Sequence, residues 1–300
     1  MNKKAQIFTV IAIMVLMLMF VSFEVFSIIN QRDAIETRVS SMDSMLHSIE
    51  VNLERQLYIA GFRGIFVALE EIRTSGQYIS DIHAFINETF FNGTVNGVNN
   101  SILYGTTYSD MINSINSKAR KINVEVEMKN ASLELSQEDP WNVKLVLTSE
   151  FLMKDREGLA QWNKTQIIST KISITSFEDP IYMVNLAPRK INQTLYEGNY
   201  VYNGDVTNLT LHLNGQYYTQ HDDAPSFLQR IEGNLSADPE GNGIESFVRF
   251  PDEDKTAIDF IYFSPTNNPS PTHSVWGMPA WFRIDDAHVE KYQVSSLTGK

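Results

Sequence analysis

The chain has 300 residues, of which 43% are hydrophobic and 20% are charged. This composition is typical of a folded chain of about two domains and excludes overall disorder. Thirty-six acidic residues against 24 basic ones give a net charge of −12, and no Lys/Arg cluster occurs, which argues against nucleic-acid binding. Cys is absent, so disulfides, thiolate metal sites and a Cys nucleophile are excluded.

The first thirty residues predict a membrane-spanning helix. Seventeen consecutive uncharged and mostly apolar residues run from Ile7 to Phe23, and Val25 to Ile29 extend the run past a single Glu24. At about 1.5 Å per residue, this helix crosses most of a hydrocarbon core about 30 Å thick. Lys3 and Lys4 precede the run, so we expect a cytoplasmic N-terminus and extracellular C-terminal domains.

A cleaved secretory leader is the alternative interpretation of this segment. Such a leader has a shorter apolar core and ends in small residues of the Ala-x-Ala kind. Here the run ends in Phe23-Glu24-Val25-Phe26, which favours a retained anchor.

A short motif precedes the apolar run. Lys3-Lys4-Ala5-Gln6 resembles the processing site of archaeal type IV pilin-like proteins, which a prepilin-type peptidase cleaves before Gln. The resemblance covers about thirty residues and implies a leader of residues 1–5, with a mature chain that begins at Gln6. Val10 stands at the fifth mature position, where bacterial pilins carry Glu, so the resemblance does not extend to polymerisation of the bacterial kind.

Residues 30–75 predict an amphipathic stalk helix that continues the transmembrane helix of residues 6–29. Spacings of three and four residues alternate along a heptad stripe: Ile35, Val39, Met42, Leu46, Ile49 and Leu53. The stripe packs either on the chain's own head, which we favour because only about three heptads occur, or on another helix in a coiled coil. Gly61 and Gly64 predict a possible bend.

Residues 76–178 predict a pilin-like α+β domain. Short helices are expected over 78–90 and 107–121, the second with a capping-box-like start at Thr107 and Asp110. From Ile122 the hydrophobic period changes to two, and it returns after Val143 and around Ile168, which predicts at least three antiparallel strands. The fold class is therefore α+β, with the stalk helix covering the apolar face of the sheet.

Residues 179–300 predict a second, smaller α+β domain that is rich in β-structure. Asn214-Gly215 predicts a hairpin turn, Pro225 to Ile231 predicts a short helix, and alternating Ile258, Phe260 and Tyr262 predict a strand. Several stretches resemble segments of single-span surface proteins of archaea: Glu178-Asp179-Pro180-Ile181-Tyr182, Pro225-Ser226-Phe227-Leu228, Gly243-Ile244-Glu245-Ser246 and Asp285-Asp286-Ala287-His288. The resemblance implies a topology and no activity.

Eight Asn-x-Ser/Thr triplets lie beyond the predicted span. They are candidate glycan acceptors, because such triplets on an exported chain meet a glycosylation machinery. The acceptors are Asn87, Asn92, Asn99, Asn130, Asn163, Asn192, Asn208 and Asn234.

Two local clusters combine acids with an imidazole: His221-Asp222-Asp223 and Asp285-Asp286-Ala287-His288. Either cluster could bind a divalent cation, but such clusters are more often solvated turns, and Asp285 or Asp286 could instead cap a helix. We therefore predict no catalytic, cofactor or metal residues. No phosphate loop, nucleophile elbow or dinucleotide fingerprint occurs.

These observations predict a non-enzymatic, membrane-anchored cell-surface protein, either a pilin-like subunit or an envelope or adhesion component. Its expected partners are the lipid bilayer, a prepilin-type peptidase and other surface or pilin-like subunits. A tethered solute-binding or sensory ectodomain is one alternative. A tethered envelope hydrolase that uses a carboxylate pair is the other.

Overall fold

A computed structural model describes residues 3–193, 199–252, 254–265 and 272–299, and it describes side chains from residue 7 onward. The helices in chain order are α1 (Lys3–Ser75), α2 (Ile82–Asn92), α3 (Tyr108–Ala119), α4 (Pro180–Asn185), α5 (Thr207–Gly215), α6 (Phe227–Glu232), α7 (Asp259–Tyr262) and α8 (Asp286–Lys291). The strands are β1 (Thr94–Val95), β2 (Val98–Asn99), β3 (Val124–Asp139), β4 (Asn142–Asp155), β5 (Gln161–Ser173), β6 (Asn192–Gln193), β7 (Tyr217–Gln220), β8 (Ile244–Glu245), β9 (Thr272–Val275), β10 (Arg283–Asp285) and β11 (Thr298–Gly299).

The fold is α+β, with one long N-terminal helix and mostly antiparallel sheets, as the sequence predicts. The largest sheet has the order β3-β4-β5, in which short connections join consecutive strands. Strands β6-β7-β8 form a second sheet, in which β6 and β7 are parallel and β7 and β8 are antiparallel. Strands β10-β9-β11 form a third, and β1 pairs with β2.

Helix α1 has two different surfaces along its length. Among the described helices, it alone is long and apolar enough to cross a membrane, and none of its most apolar window is buried. Farther along, the heptad stripe is buried at Met42, Leu46, Ile49 and Leu53, whereas Ile35 and Val39 are about 40% exposed. From Met42 onward, therefore, the stripe packs within this chain, which confirms the favoured interpretation over the coiled coil.

Contacts between Cα atoms divide the chain into two compact units. The first unit contains Met1–Leu53, Ile112–Asn130 and Glu150–Gln166. Within it, the Arg38 Nε donates to the Asp155 Oδ1 at 2.8 Å, and the Lys164 Nζ lies 2.5 Å from the Glu50 Oε1. These polar contacts add to the buried stripe and hold α1 against β4 and β5.

The second unit contains Glu54–Met111, Ala131–Ser149 and Ile167–Lys300. Here α1 runs through Gly61 and Gly64 without interruption, so the two glycines do not end the helix. A Cβ at Gly61 would lie 2.1 Å from the Leu145 Cδ1 and 2.6 Å from the Ile172 Cδ1. Glycine at this position thus permits close approach of the helix to the sheet.

The predicted hairpin at Asn214-Gly215 is wrong, because these residues end helix α5. Leu209 and Leu213 are four residues apart and fully buried, whereas Leu211 between them is 44% exposed. This burial follows the helical period, not the period of two that a strand requires. The left-handed conformation falls on Gln216, with φ at +53°, which caps the helix.

The predicted strand over Ile258, Phe260 and Tyr262 is also wrong, because this segment contains the single helical turn α7. Other local predictions are confirmed. Thr107 and Asp110 bond each other at the start of α3, with the Asp110 N donating to the Thr107 Oγ1 at 3.2 Å. Strands β3 and β4 alternate between buried and exposed positions, although β3 begins at Val124 because Ile122 lies in a short 3-10 turn.

Candidate functional site

A buried group of ionisable side chains lies in the second unit, where the end of β7, strand β8 and helix α8 meet. We call it the imidazole–carboxylate cluster and define it by five residues: His221, Glu245, Asp285, His288 and Lys291. Metal-binding atoms of His221, Glu245 and His288 all lie within 4.8 Å of one another. The two local sequence clusters therefore meet in space through their imidazoles.

The β7–β8 pair places His221 next to Glu245. Gln220 pairs with Ile244 in the antiparallel ladder, and the next residue, His221, donates its N–H to the Gly243 carbonyl at 3.0 Å. A Cβ at Gly243 would lie 2.0 Å from the Ala224 carbonyl oxygen, so only glycine permits this close approach. The local backbone therefore depends on glycine to bring the two side chains together.

Helix α8 presents the other side chains. The Asp285 Oδ1 accepts from the Ala287 N–H at 3.1 Å and thus caps the helix, as predicted. His288, Lys291 and Tyr292 follow at positions three and four residues apart, which lie on one helical face. All three contact Glu245.

The two oxygens of Glu245 have different partners. Its Oε1 accepts from the Tyr292 hydroxyl at 2.6 Å and lies 2.9 Å from the Lys291 Nζ. Its Oε2 lies 3.1 Å from the His288 Nε2 and 3.3 Å from the His221 Nδ1. The side chain is fully buried. Its carboxylate therefore lies between Lys291 and Tyr292 on one side and the two imidazoles on the other.

Burial and neighbouring charges set the protonation of this cluster. Burial raises the pKa of Glu245, but the His288 hydrogen bond and the charges of Lys291 and His288 outweigh burial and lower it to about 2. Burial lowers the pKa of His288, but hydrogen bonds to Asp285 and Glu245 raise it to about 9. The imidazole between two carboxylates is therefore protonated at neutral pH.

His221 differs from His288 in its hydrogen bonding. Burial lowers the pKa of His221, because its partial desolvation outweighs the attraction of Glu245. Its Nδ1 is buried and has no hydrogen bond to any described residue, although the Glu245 Oε2 is only 3.3 Å away. The side chain keeps 16% of its surface exposed, so the cluster is accessible to solvent at this residue.

A second buried polar group, the Arg230 network, also lies in the second unit. The Arg230 Nη1 donates to the Asp179 Oδ2 at 2.8 Å and to the Asp259 Oδ2 at 3.1 Å, and all three side chains are fully buried. Asp179 also accepts from the Tyr218 hydroxyl at 2.8 Å, and Asp259 accepts from the Ser246 hydroxyl at 2.7 Å. One guanidinium is shared by two carboxylates, and the network has a structural role in tying five segments together.

The other acids of the two sequence clusters lie outside this site. Asp222 and Asp223 are exposed, and the exposed Asp286 contacts the His273 Nε2 at 2.5 Å. The processing motif, Lys3-Lys4-Ala5-Gln6, lies at the start of α1.

None of the eight acceptor asparagines is buried. Three of them lie in helices: Asn87 and Asn208 are half-buried within α2 and α5, and Asn92 is the exposed last residue of α2. The exposed acceptors are Asn92, Asn99, Asn130, Asn163, Asn192 and Asn234.

The residues that sequence reasoning missed are Glu245, Lys291 and Tyr292. The spacing of Asp285, His288, Lys291 and Tyr292 is a local signal that these side chains share a helical face. Glu245 carries no such signal, because it is 40 residues or more from α8 and meets it only through tertiary structure.

No family model, curated protein or solved structure matches this chain. The function is therefore argued from the chain's own residues.

Proposed function

We propose that this chain is a non-enzymatic, membrane-anchored cell-surface protein, a pilin-like subunit or envelope component with an exported head. The observation that carries the proposal is the exposed apolar surface at the start of α1. Eighteen large hydrophobic side chains between Ile7 and Ile29 are each at least 50% exposed. At about 1.5–3 kcal/mol for each buried side chain, their transfer from water into lipid is favourable by tens of kcal/mol.

The continuity of α1 supports the second part of the proposal. The same helix that carries the apolar segment enters the buried core from Met42 onward. An anchor that continues into the head holds the head close to the bilayer. In the proposed topology, Lys3 and Lys4 stay cytoplasmic and the domains proposed for residues 76–178 and 179–300 face outward.

Location is tested by fractionation of cells, followed by protease treatment of intact cells. We expect the full chain in the membrane fraction and a head that the protease degrades without lysis. The variant Leu16→Arg/Met19→Arg places two charges in the span. Inserting each charge into the membrane costs about 2.5–3.5 kcal/mol, so the variant should insert less well. Val51→Arg is the control, because Val51 is 60% exposed outside the apolar segment. A freely soluble wild-type chain, or a head that resists protease until lysis, would contradict the proposal.

Processing is tested by N-terminal sequencing of protein extracted from membranes. A mature start at Gln6 is the expected result for pilin-type export. An intact Met1 start would leave an ordinary signal anchor and contradict the pilin-like part of the proposal.

A further inference from the structure

We propose that His221, Glu245 and His288 bind one divalent transition-metal ion, for which Zn²⁺ is the best probe. Two imidazole nitrogens and one carboxylate oxygen are the donors that such ions take from proteins, whereas Ca²⁺ and Mg²⁺ prefer oxygen ligands alone. Three protein ligands would leave a fourth position open to water or another ligand.

Two of the three distances between the ligand atoms fit a tetrahedral ion. Zinc bonds to nitrogen and oxygen are about 2.0–2.1 Å long, so two ligand atoms of a tetrahedral site are about 3.3 Å apart. The Glu245 Oε2 lies 3.3 Å from the His221 Nδ1 and 3.1 Å from the His288 Nε2. All three ligand atoms lie within 4.8 Å of one another, so the distance between the two imidazole nitrogens must shorten by up to about 1.5 Å, through imidazole movement, when the ion binds.

The surrounding residues orient the ligands as a metal site requires. The His288 Nδ1 bonds the Asp285 Oδ1 at 2.8 Å, which directs the Nε2 toward Glu245. The ion would take the place of the proton on that Nε2, and binding would release the proton to solvent. A carboxylate behind a ligating imidazole is the usual outer partner of a zinc histidine. Tyr292 and Lys291 bond only the Oε1 of Glu245, so they orient the carboxylate and leave its Oε2 on the imidazole side.

His221 is the residue whose geometry most favours an ion. A buried nitrogen without a hydrogen bond costs free energy, yet the His221 Nδ1 has no such bond among the described residues. A bound ion would give that nitrogen a partner. The remaining exposure of His221 gives an ion access to the site from solvent.

The test is calorimetric titration of Zn²⁺ into the purified full chain in detergent, stripped with a chelator and free of any polyhistidine tag. We expect one saturable site per chain. Asp285→Asn should weaken affinity by about 10- to 100-fold, because Asp285 is a positioning residue that holds the His288 ring. His221→Ala should weaken it further, because a ligand is lost.

His221→Ala is preferred to His288→Ala because His288 also bonds two buried carboxylates and its removal would disturb the fold. His83→Ala is the matched control, since His83 is exposed on α2 and should not affect Zn²⁺ affinity. Circular dichroism checks that each variant is folded. Zn²⁺ should also raise the melting temperature of the wild type and of His83→Ala, but not that of His221→Ala.

Co²⁺ provides a spectroscopic readout of geometry. We expect the visible absorption of a four-coordinate ion in the wild type and its loss in His221→Ala. No saturable Zn²⁺ binding by the wild type, or equal affinity in folded His221→Ala, would overturn the proposal. This test does not depend on the proposed surface location, because it uses purified protein.

Discussion

Arg230 offers the sharpest test of how the second unit is stabilised. Its guanidinium is fully buried between the carboxylates of Asp179 and Asp259, which are fully buried as well. It also donates to the Ile244 carbonyl, and its charge lies 5.9 Å from the centre of the Tyr218 ring. The substitution Arg230→Met keeps much of the side-chain volume and removes the charge.

The expected loss follows from what remains after the substitution. Breaking a buried ion pair by removing one partner costs about 3–5 kcal/mol, because an uncompensated charge stays in the interior. Arg230→Met leaves two such carboxylates, so we expect the free energy of unfolding to fall by about 5 kcal/mol. The triple variant Arg230→Met/Asp179→Asn/Asp259→Asn removes both charges and should be more stable than the single variant.

Urea unfolding of the full chain in detergent, followed by circular dichroism, measures these differences. Lys144→Met is the control, because the pair between Lys144 and Glu138 lies at the surface and should contribute less than about 1 kcal/mol. The reasoning is refuted if Arg230→Met costs no more than Lys144→Met, or if removing the two carboxylates adds further destabilisation.

Three further predictions concern other features. Burial lowers the pKa of His212 to about 4 from its ordinary 6.5, so the unfolded state binds a proton before the folded state does as the pH falls. Between pH 6.5 and 4, the free energy of unfolding of the wild type should therefore drop by up to about 3 kcal/mol relative to that of His212→Phe, measured by urea unfolding at each pH. Gly61→Ala gains about 1 kcal/mol of helix propensity, but its methyl group would clash with two side chains of the sheet, which costs about 1–3 kcal/mol of stability. We expect a lower melting temperature; a higher one would mean that the helix can move away from the sheet. Mass spectrometry of glycopeptides should find glycans on the exposed acceptors and none on the half-buried Asn87 and Asn208. A glycan on Asn87 or Asn208 would contradict the expectation that only exposed acceptors are modified.

Local sequence patterns predicted those elements whose cause is itself local. The apolar run from Ile7, the period of two in β3 and β4, and the caps at Thr107 and Asp285 each depend on neighbouring residues. The heptad stripe also predicted which face of α1 is buried from Met42 onward, because the helical period places those side chains in one line.

Local patterns failed where distant partners outweigh them. Asn214-Gly215 is a strong turn signal, but burial of Leu209 and Leu213 on one face makes the segment helical. The segment after Ile258 alternates like a strand, but Asp259 must reach the buried Arg230, and a helical turn forms there instead.

The sequence by itself determined a long apolar helix, a stalk with one buried stripe and an α+β chain rich in acceptor triplets, since these follow from the order and spacing of neighbouring residues. Only the tertiary structure decided that His221 and His288 share the carboxylate of Glu245, because that meeting depends on a strand pair and on a helix more than forty residues away. Chain folding, not sequence proximity, creates this cluster.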